Sequence, residues 1–178
     1  ERHPNLILHI TRAIGDHPAL AQVLMQRASE ADYLAAHPWL LHQDALIWPG
    51  WQMSQAVNLL IVLDDASILP RIIPEEAIRR CSQGSRYANV QLCYIHAGEP
   101  RLDAAIDALA QRREHSVIIA PYTLERQSPF LPAIEATIAA ARGRYPALTI
   151  IQAEHLAYDR RLLEAIAEQV DQQNAGDA

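Results

Sequence analysis

Apolar residues follow two alternating registers along the chain. Short runs of strand length stand at Val57 to Leu63 (VNLLIVL), Val90 to Ile95, Val117 to Ala120 and Leu148 to Ile151. Between them the apolar positions recur at helical spacing, as Leu102, Ile106 and Leu109 do after Pro100. Pro74 to Gln83 reads as a short helix stopped by Gly84. Ser128 can cap a helix that has Pro129 at its first position and runs to Arg144. Asp159 can cap a final helix, and the tail beyond it frays. Strands that alternate with helices predict an α/β fold. The expected architecture is three-layered, a mainly parallel sheet with helices on both faces, and ligands bind beyond the strand carboxyl ends.

The first third follows a different pattern. Asn5 to Ile10 (NLILHI) can be a strand. Asp16 and Pro18 open a helix that stops before His37-Pro38 and carries Leu20, Val23, Leu24, Arg27 and Ala31 as a stripe. Trp39 to Trp51 holds all three tryptophans and the breaker Pro49-Gly50, and reads as a connection. The expected division is an extension or worn half-repeat over 1–56, an α/β domain over 57–173 and a tail over 174–178. NLILHITRAIGDHPAL is a candidate for a worn copy of a half's first strand and helix.

Composition narrows the function. Of 178 residues, 50% are hydrophobic and 20% charged, enough for a packed core. The formal charge of −6 argues against a nucleic-acid partner, which calls for a basic face. No apolar run has the length of a membrane span. Cys81 and Cys93 lack CxxC spacing. A reducing, cytoplasmic setting is expected.

The polar residues that follow the strands are the candidates for chemistry. Asp64 and Asp65 end the first apolar run, where aspartate serves a turn as readily as a metal. His96 ends the second, as a ligand or a hydrogen-bonded structural histidine. Glu125, Arg126 and Gln127 follow the third, and His155 the fourth. Arg126 could grip a carboxylate in a bidentate contact or stand solvated. His3, His17, His37, His42 and His115 show no ligand spacing, and the default for them is exposure.

YIHAGEPRLDAAIDAL, IIAPYTL and the segment around AEHLAYDRRLLEAI carry a family likeness. With the phrase acid-Pro-x-Leu after a hydrophobic strand, the chain resembles the small sirohydrochlorin chelatases of the CbiX type from Val57 to Val170. The resemblance implies a divalent metal (cobalt, iron or nickel) as substrate, inserted into a tetrapyrrole of cobalamin or siroheme biosynthesis. It also implies a homodimer or a missing second half, because members of this length look like half of a larger chelatase. The family's first strand leads into Gly-His-Gly-Ser. Here LLIVLDDAS puts Asp65 at the histidine and Ser67 at the serine. His96 takes the place of a glutamate before Glu99-Pro100, and the loop PYTLERQSPFLPAI lacks the family's histidine.

On this reading Asp65 and His96 are catalytic and metal-facing, with His155 on the same rim, and Ser67, Glu125, Arg126 and Gln127 face the ring. Chelation needs a proton acceptor for pyrrole N–H groups and ligands for the metal, and imidazole does both near neutral pH. One carboxylate and one imidazole make an incomplete set. The expectation is a slow or degenerate chelatase. A non-catalytic module that binds a tetrapyrrole or a protein is the alternative, and a tryptophan-rich extension docked into a larger assembly is a third.

Overall fold

The computed structural model describes residues 18–36, 57–65, 87–125, 127–156 and 159–176. The expected strand at Asn5–Ile10, the helix at Pro74–Gln83, the tryptophan segment, Ser67, Arg126 and Cys81 lie outside the described residues. In chain order the elements are α1 (Pro18–Ala36), β1 (Val57–Asp65), β2 (Tyr87–Ala97), α2 (Leu102–Gln111), β3 (Ser116–Pro121), α3 (Phe130–Arg144), β4 (Thr149–Gln152) and α4 (Arg160–Gly176).

The four strands form one parallel sheet in the order β2-β1-β3-β4. β1 is interior, so both its faces must be apolar. Val57 to Leu63 are all buried as a result. Its odd residues Leu59, Ile61 and Leu63 join Leu20, Val23 and Leu24 of α1 and Leu162 of α4. Its even residues Leu60 and Val62 join Ile106 of α2 and Phe130, Ile134 and Ile138 of α3. The expected three-layer α/β architecture is therefore the observed one, and α1 packs into the same core. None of the helices among the described residues is long and apolar enough to cross a membrane.

α3 begins at Phe130 with Pro129 at its cap position, one residue later than the sequence reading put it. The Ser128 hydroxyl accepts from the Phe130 N–H at 3.4 Å. The Asp159 carboxylate accepts from the Arg161 N–H at 3.0 Å and from the same residue's guanidinium at 2.9 and 2.8 Å. These contacts hold the Asp159 carboxyl below its usual range, with the Arg161 hydrogen bond the largest cause. A carboxyl whose folded pKa is lowered stabilises the fold above its unfolded pKa of about 4. That contribution is lost as pH falls through the folded value. Acid unfolding of Asp159→Asn, followed by circular dichroism, is expected to show a shallower loss of stability below about pH 4 than wild type.

Cys93 lies in the core and its thiol points to the Ile61 carbonyl oxygen at 3.6 Å. Burial pushes its pKa up to about 12. The thiolate is the reactive form. Labelling with a thiol reagent near neutral pH, resolved by peptide mass, is expected to miss Cys93 in the native protein and to reach it on unfolding.

Candidate functional site

The strand order reverses direction at β1 and β3, and the carboxyl ends of these neighbours open the crevice where such sheets take ligands. A cavity of about 330 Å³ lies there. Leu63 and Asp64 of β1, Tyr122, Thr123, Leu124 and Glu125 after β3, and Ser128 and Phe130 at the start of α3 line it. Its floor is the sheet end and the buried Phe130 ring. Its polar groups are two carboxylates, two hydroxyls and the Tyr122 phenol, whose pKa burial raises.

The lining loop is fixed by its backbone. The Tyr122 N–H donates to the Val62 carbonyl at 2.9 Å, which extends the ladder between β1 and β3. The Leu156 N–H, from the loop after β4, donates to the Thr123 carbonyl at 3.0 Å. The Glu125 N–H donates to the Thr123 hydroxyl at 3.1 Å. Thr123 is thus tied on both sides, and Leu124, 48% exposed, projects at the mouth.

His96 reaches this rim through a bulge. Between the pairs Leu63–Tyr94 and Asp65–Ala97, β1 advances two residues and β2 three. An extra residue of this kind re-aims the side chains beside it. The His96 Nδ1 lies 2.5 Å from Asp64 Oδ1, with the side chains 61% and 48% exposed. A carboxylate only accepts, so Nδ1 carries the proton and Nε2 presents its lone pair. Nε2 has no partner among the described residues. Gly98, at φ 134°, turns the chain after β2, a conformation that suits a residue without Cβ. The Arg101 guanidinium donates to the His96 carbonyl at 3.2 Å and steadies this turn.

The candidates therefore separate. His96 meets Asp64, and Asp64 also lines the cavity, so pair and cavity are contiguous. Asp65 is half-buried beside Ala97 and is not among the lining residues. Glu125 lines the cavity, whereas Gln127 is exposed on the same loop outside it. His155 precedes the Leu156 anchor. Its Nε2 is shielded from solvent without a hydrogen-bond partner among the described residues, and His155 is not one of the cavity's lining residues. Among the described residues no three His, Cys, Asp or Glu side chains stand together as a metal site. Tyr122, Thr123, Leu124, Ser128 and Phe130 are lining residues that the motif comparison did not single out. Position after β3 at the reversal of strand order was the available signal.

Known proteins bear on the fold and the family. The chain matches no curated protein. Among solved structures it resembles SirB from Bacillus subtilis, solved with Fe3+, at 15% identity and a TM-score of 0.64, over 94% of this chain and 58% of that one. It also resembles DR2241 from Deinococcus radiodurans, a multi-domain protein with structural similarity to chelatases, at 14% identity and a TM-score of 0.61, over 89% and 30%. A CbiX protein of cobalamin biosynthesis from Marinobacter aquaeolei VT8 aligns at 17% identity and a TM-score of 0.52, over 67% of this chain and 98% of its own. The chain thus spans 58% of SirB and 30% of DR2241. At these identities the likeness speaks for the fold. The CbiX family itself matches residues 74–173, which include His96 and Glu125 and leave out β1 with Asp64. That match spans more than half of the sequence, and the chain belongs to the CbiX family.

Proposed function

We propose that this chain is a chelatase domain that brings a divalent metal to a sirohydrochlorin-type tetrapyrrole, with His96 as the proton-accepting and metal-facing group. The observation that carries this reading is the His96–Asp64 pair beside the cavity at the strand carboxyl ends. Insertion exchanges two pyrrole N–H protons for one M2+. The His96 Nε2 lone pair accepts one proton, and the Asp64 carboxylate stabilises the imidazolium. The second proton leaves to water in the open cleft. Cobalt and iron are the metals to test first, because the related SirB structures hold them. Asp64 supplies the orienting carboxylate in place of Asp65. Glu125, Ser67, Arg126 and Gln127 are proposed to face the ring.

A cavity of about 330 Å³ is at the small end of the ligand-site range, about 300–1,000 Å³. It admits an edge of a macrocycle and leaves the remaining face for a second body, either another copy or another half. The proposed setting is cytoplasmic. Among the described residues no third His, Cys, Asp or Glu joins His96 and Asp64, which favours a second reading, a module that binds the ring without inserting metal. Absorption titration with sirohydrochlorin, with and without cobalt or ferrous iron, separates the two. A ring spectrum that shifts on binding and then converts to the metallated spectrum supports the chelatase. A shift without conversion selects the module, and no shift overturns both.

Leu124 gives a smaller test. Its exposed side chain at the cavity mouth offers apolar contact to a ring face. Leu124→Ser is expected to weaken ring binding about tenfold, as removal of about 1.4 kcal/mol of apolar contact would. The midpoint of urea unfolding should stay unchanged.

A further inference from the structure

Among the described residues, Arg101 carries the one guanidinium at the carboxyl ends of β1, β2 and β3. The other charged side chains there are the carboxylates of Asp64, Asp65, Glu99 and Glu125, beside the His96 imidazole. A rim of this kind repels an anionic ligand except where a cation stands. A sirohydrochlorin-type ring is such a ligand, because acetate and propionate arms surround it. Where the ring lands is therefore set by its apolar face and by the place of the positive charge.

The backbone fixes that place. The Tyr94 N–H donates to the Pro100 carbonyl at 3.0 Å, and Arg101 itself forms a bridge with Tyr94 of β2. Arg101 then caps α2 in extended backbone, φ −71° and ψ 154°, and its carbonyl accepts from the Ala105 N–H at 2.9 Å. From there the side chain returns to the strand end, where Nη1 donates to the His96 carbonyl at 3.2 Å. The guanidinium keeps donors to spare. Its Nε lies 3.6 Å from Asp103 Oδ1, which already accepts from the Ala104 N–H at 3.0 Å. Its Nη2 has no partner among the described residues, and the side chain is 50% exposed. In the phrase acid-Pro-x-Leu, Arg101 is the x, so this residue can change while the phrase stays intact.

We infer that Arg101 binds a carboxylate arm of the ring through Nη2 and so sets which edge of the macrocycle meets His96. The contact is a charge-assisted hydrogen bond, stronger than one between neutral groups. It favours rings with a carboxylate on the edge beside the imidazole, because an alkyl arm there leaves the guanidinium unmatched among carboxylates. The inference rests on the tetrapyrrole reading of the site and adds a specificity residue to it.

The test is absorption titration with metal-free sirohydrochlorin over a series of salt concentrations. Four proteins are compared: wild type, Arg101→Gln, Arg101→Lys and Arg112→Gln. Glutamine can still donate to the His96 carbonyl, so the turn is kept. Arg112 is the exposed residue at the other end of α2 and controls for net charge. Arg101→Gln is expected to weaken binding about tenfold, the low end for hydrogen bonds to charged groups because the site is half exposed. Its affinity is also expected to fall less steeply with salt than that of wild type. Arg101→Lys keeps the charge and is expected to restore the salt dependence, with affinity between the two. Arg112→Gln is expected to bind as wild type does. Wild-type affinity in Arg101→Gln overturns the inference, and so does an equal loss in Arg112→Gln. A loss in Arg101→Gln that keeps the full salt dependence also overturns it, since that is the mark of a displaced turn. Salt dependence in Arg101→Lys that differs from wild type overturns it from the second variant alone. If wild type itself does not bind the ring, the tetrapyrrole reading falls and the inference with it, a result distinct from the others.

Discussion

Cobalt insertion by the His96→Ala protein is expected to be about 10²–10⁴ times slower than by wild type, the usual contribution of a positioned acid–base group. The step that needs His96 is removal of a pyrrole proton while the metal approaches. Its Nε2 is the nitrogen that Asp64 leaves open, on a side chain 61% exposed, and neither of the other described histidines, His115 and His155, lines the cavity. His155 is turned inward with its own Nε2 shielded. Asp64→Asn keeps the shape but removes the carboxylate that accepts from Nδ1 and orients the ring, and outer partners of this kind are commonly worth about 10–100-fold. Asp65→Asn, outside the cavity, is expected to change the rate by less than either. Initial rates for the four proteins, with ring binding measured alongside, decide the order. A larger loss at Asp65 than at Asp64 would return the site to the arrangement implied by motif position. Equal rates in wild type and His96→Ala would remove His96 from the chemistry. The wild-type rate itself is expected to be low against a chelatase with two facing histidines, since each factor of ten is about 1.4 kcal/mol of transition-state stabilisation.

The contrast between Asp64 and Asp65 also shows what a sequence carries and what it does not. β1 was legible because an interior parallel strand has two apolar faces, and seven buried residues in a row admit few other readings. Its carboxyl end was less so. Adjacent aspartates point to opposite faces of a sheet, and which of them meets His96 depends on an extra residue in β2. A bulge leaves no periodic trace in a strand as short as this. The cavity hydroxyls had the same weakness, because Thr123 and Ser128 in a loop read as turn residues until the sheet order places them at β1 and β3. α1 was legible as an amphipathic helix, but its stripe does not say which surface it covers. The buried cluster that Leu20, Val23 and Leu24 share with residues of β1 and β3 makes it part of the domain core.

Phe130→Ala is expected to cost about 3–5 kcal/mol of folding stability, the range for deleting a buried aromatic ring. The ring is 2% exposed and belongs to the same buried cluster as Leu60, Val62, Ile95, Val117 and Ile134, a cluster that joins α3 to three strands. A loss of that size is a large share of the about 5–15 kcal/mol that holds a domain folded. Urea unfolding should show a lower midpoint with an unchanged slope, since the same surface is exposed in both proteins. Phe130→Leu refills most of the volume and should recover much of the difference. The same ring floors the cavity, so the alanine protein is also expected to bind the tetrapyrrole more weakly under conditions where it remains folded. The leucine protein separates the two effects, because it restores the core while leaving a flatter floor. Ring affinity that follows stability in both variants would mean that Phe130 acts on the ligand only by holding α3 in place. Weak binding by a stable leucine protein would mean that the ring touches the ligand directly. A stability loss below about 1 kcal/mol in the alanine protein, well under the range for a buried aromatic, would contradict the packing of α3 on the sheet and with it the floor of the proposed site.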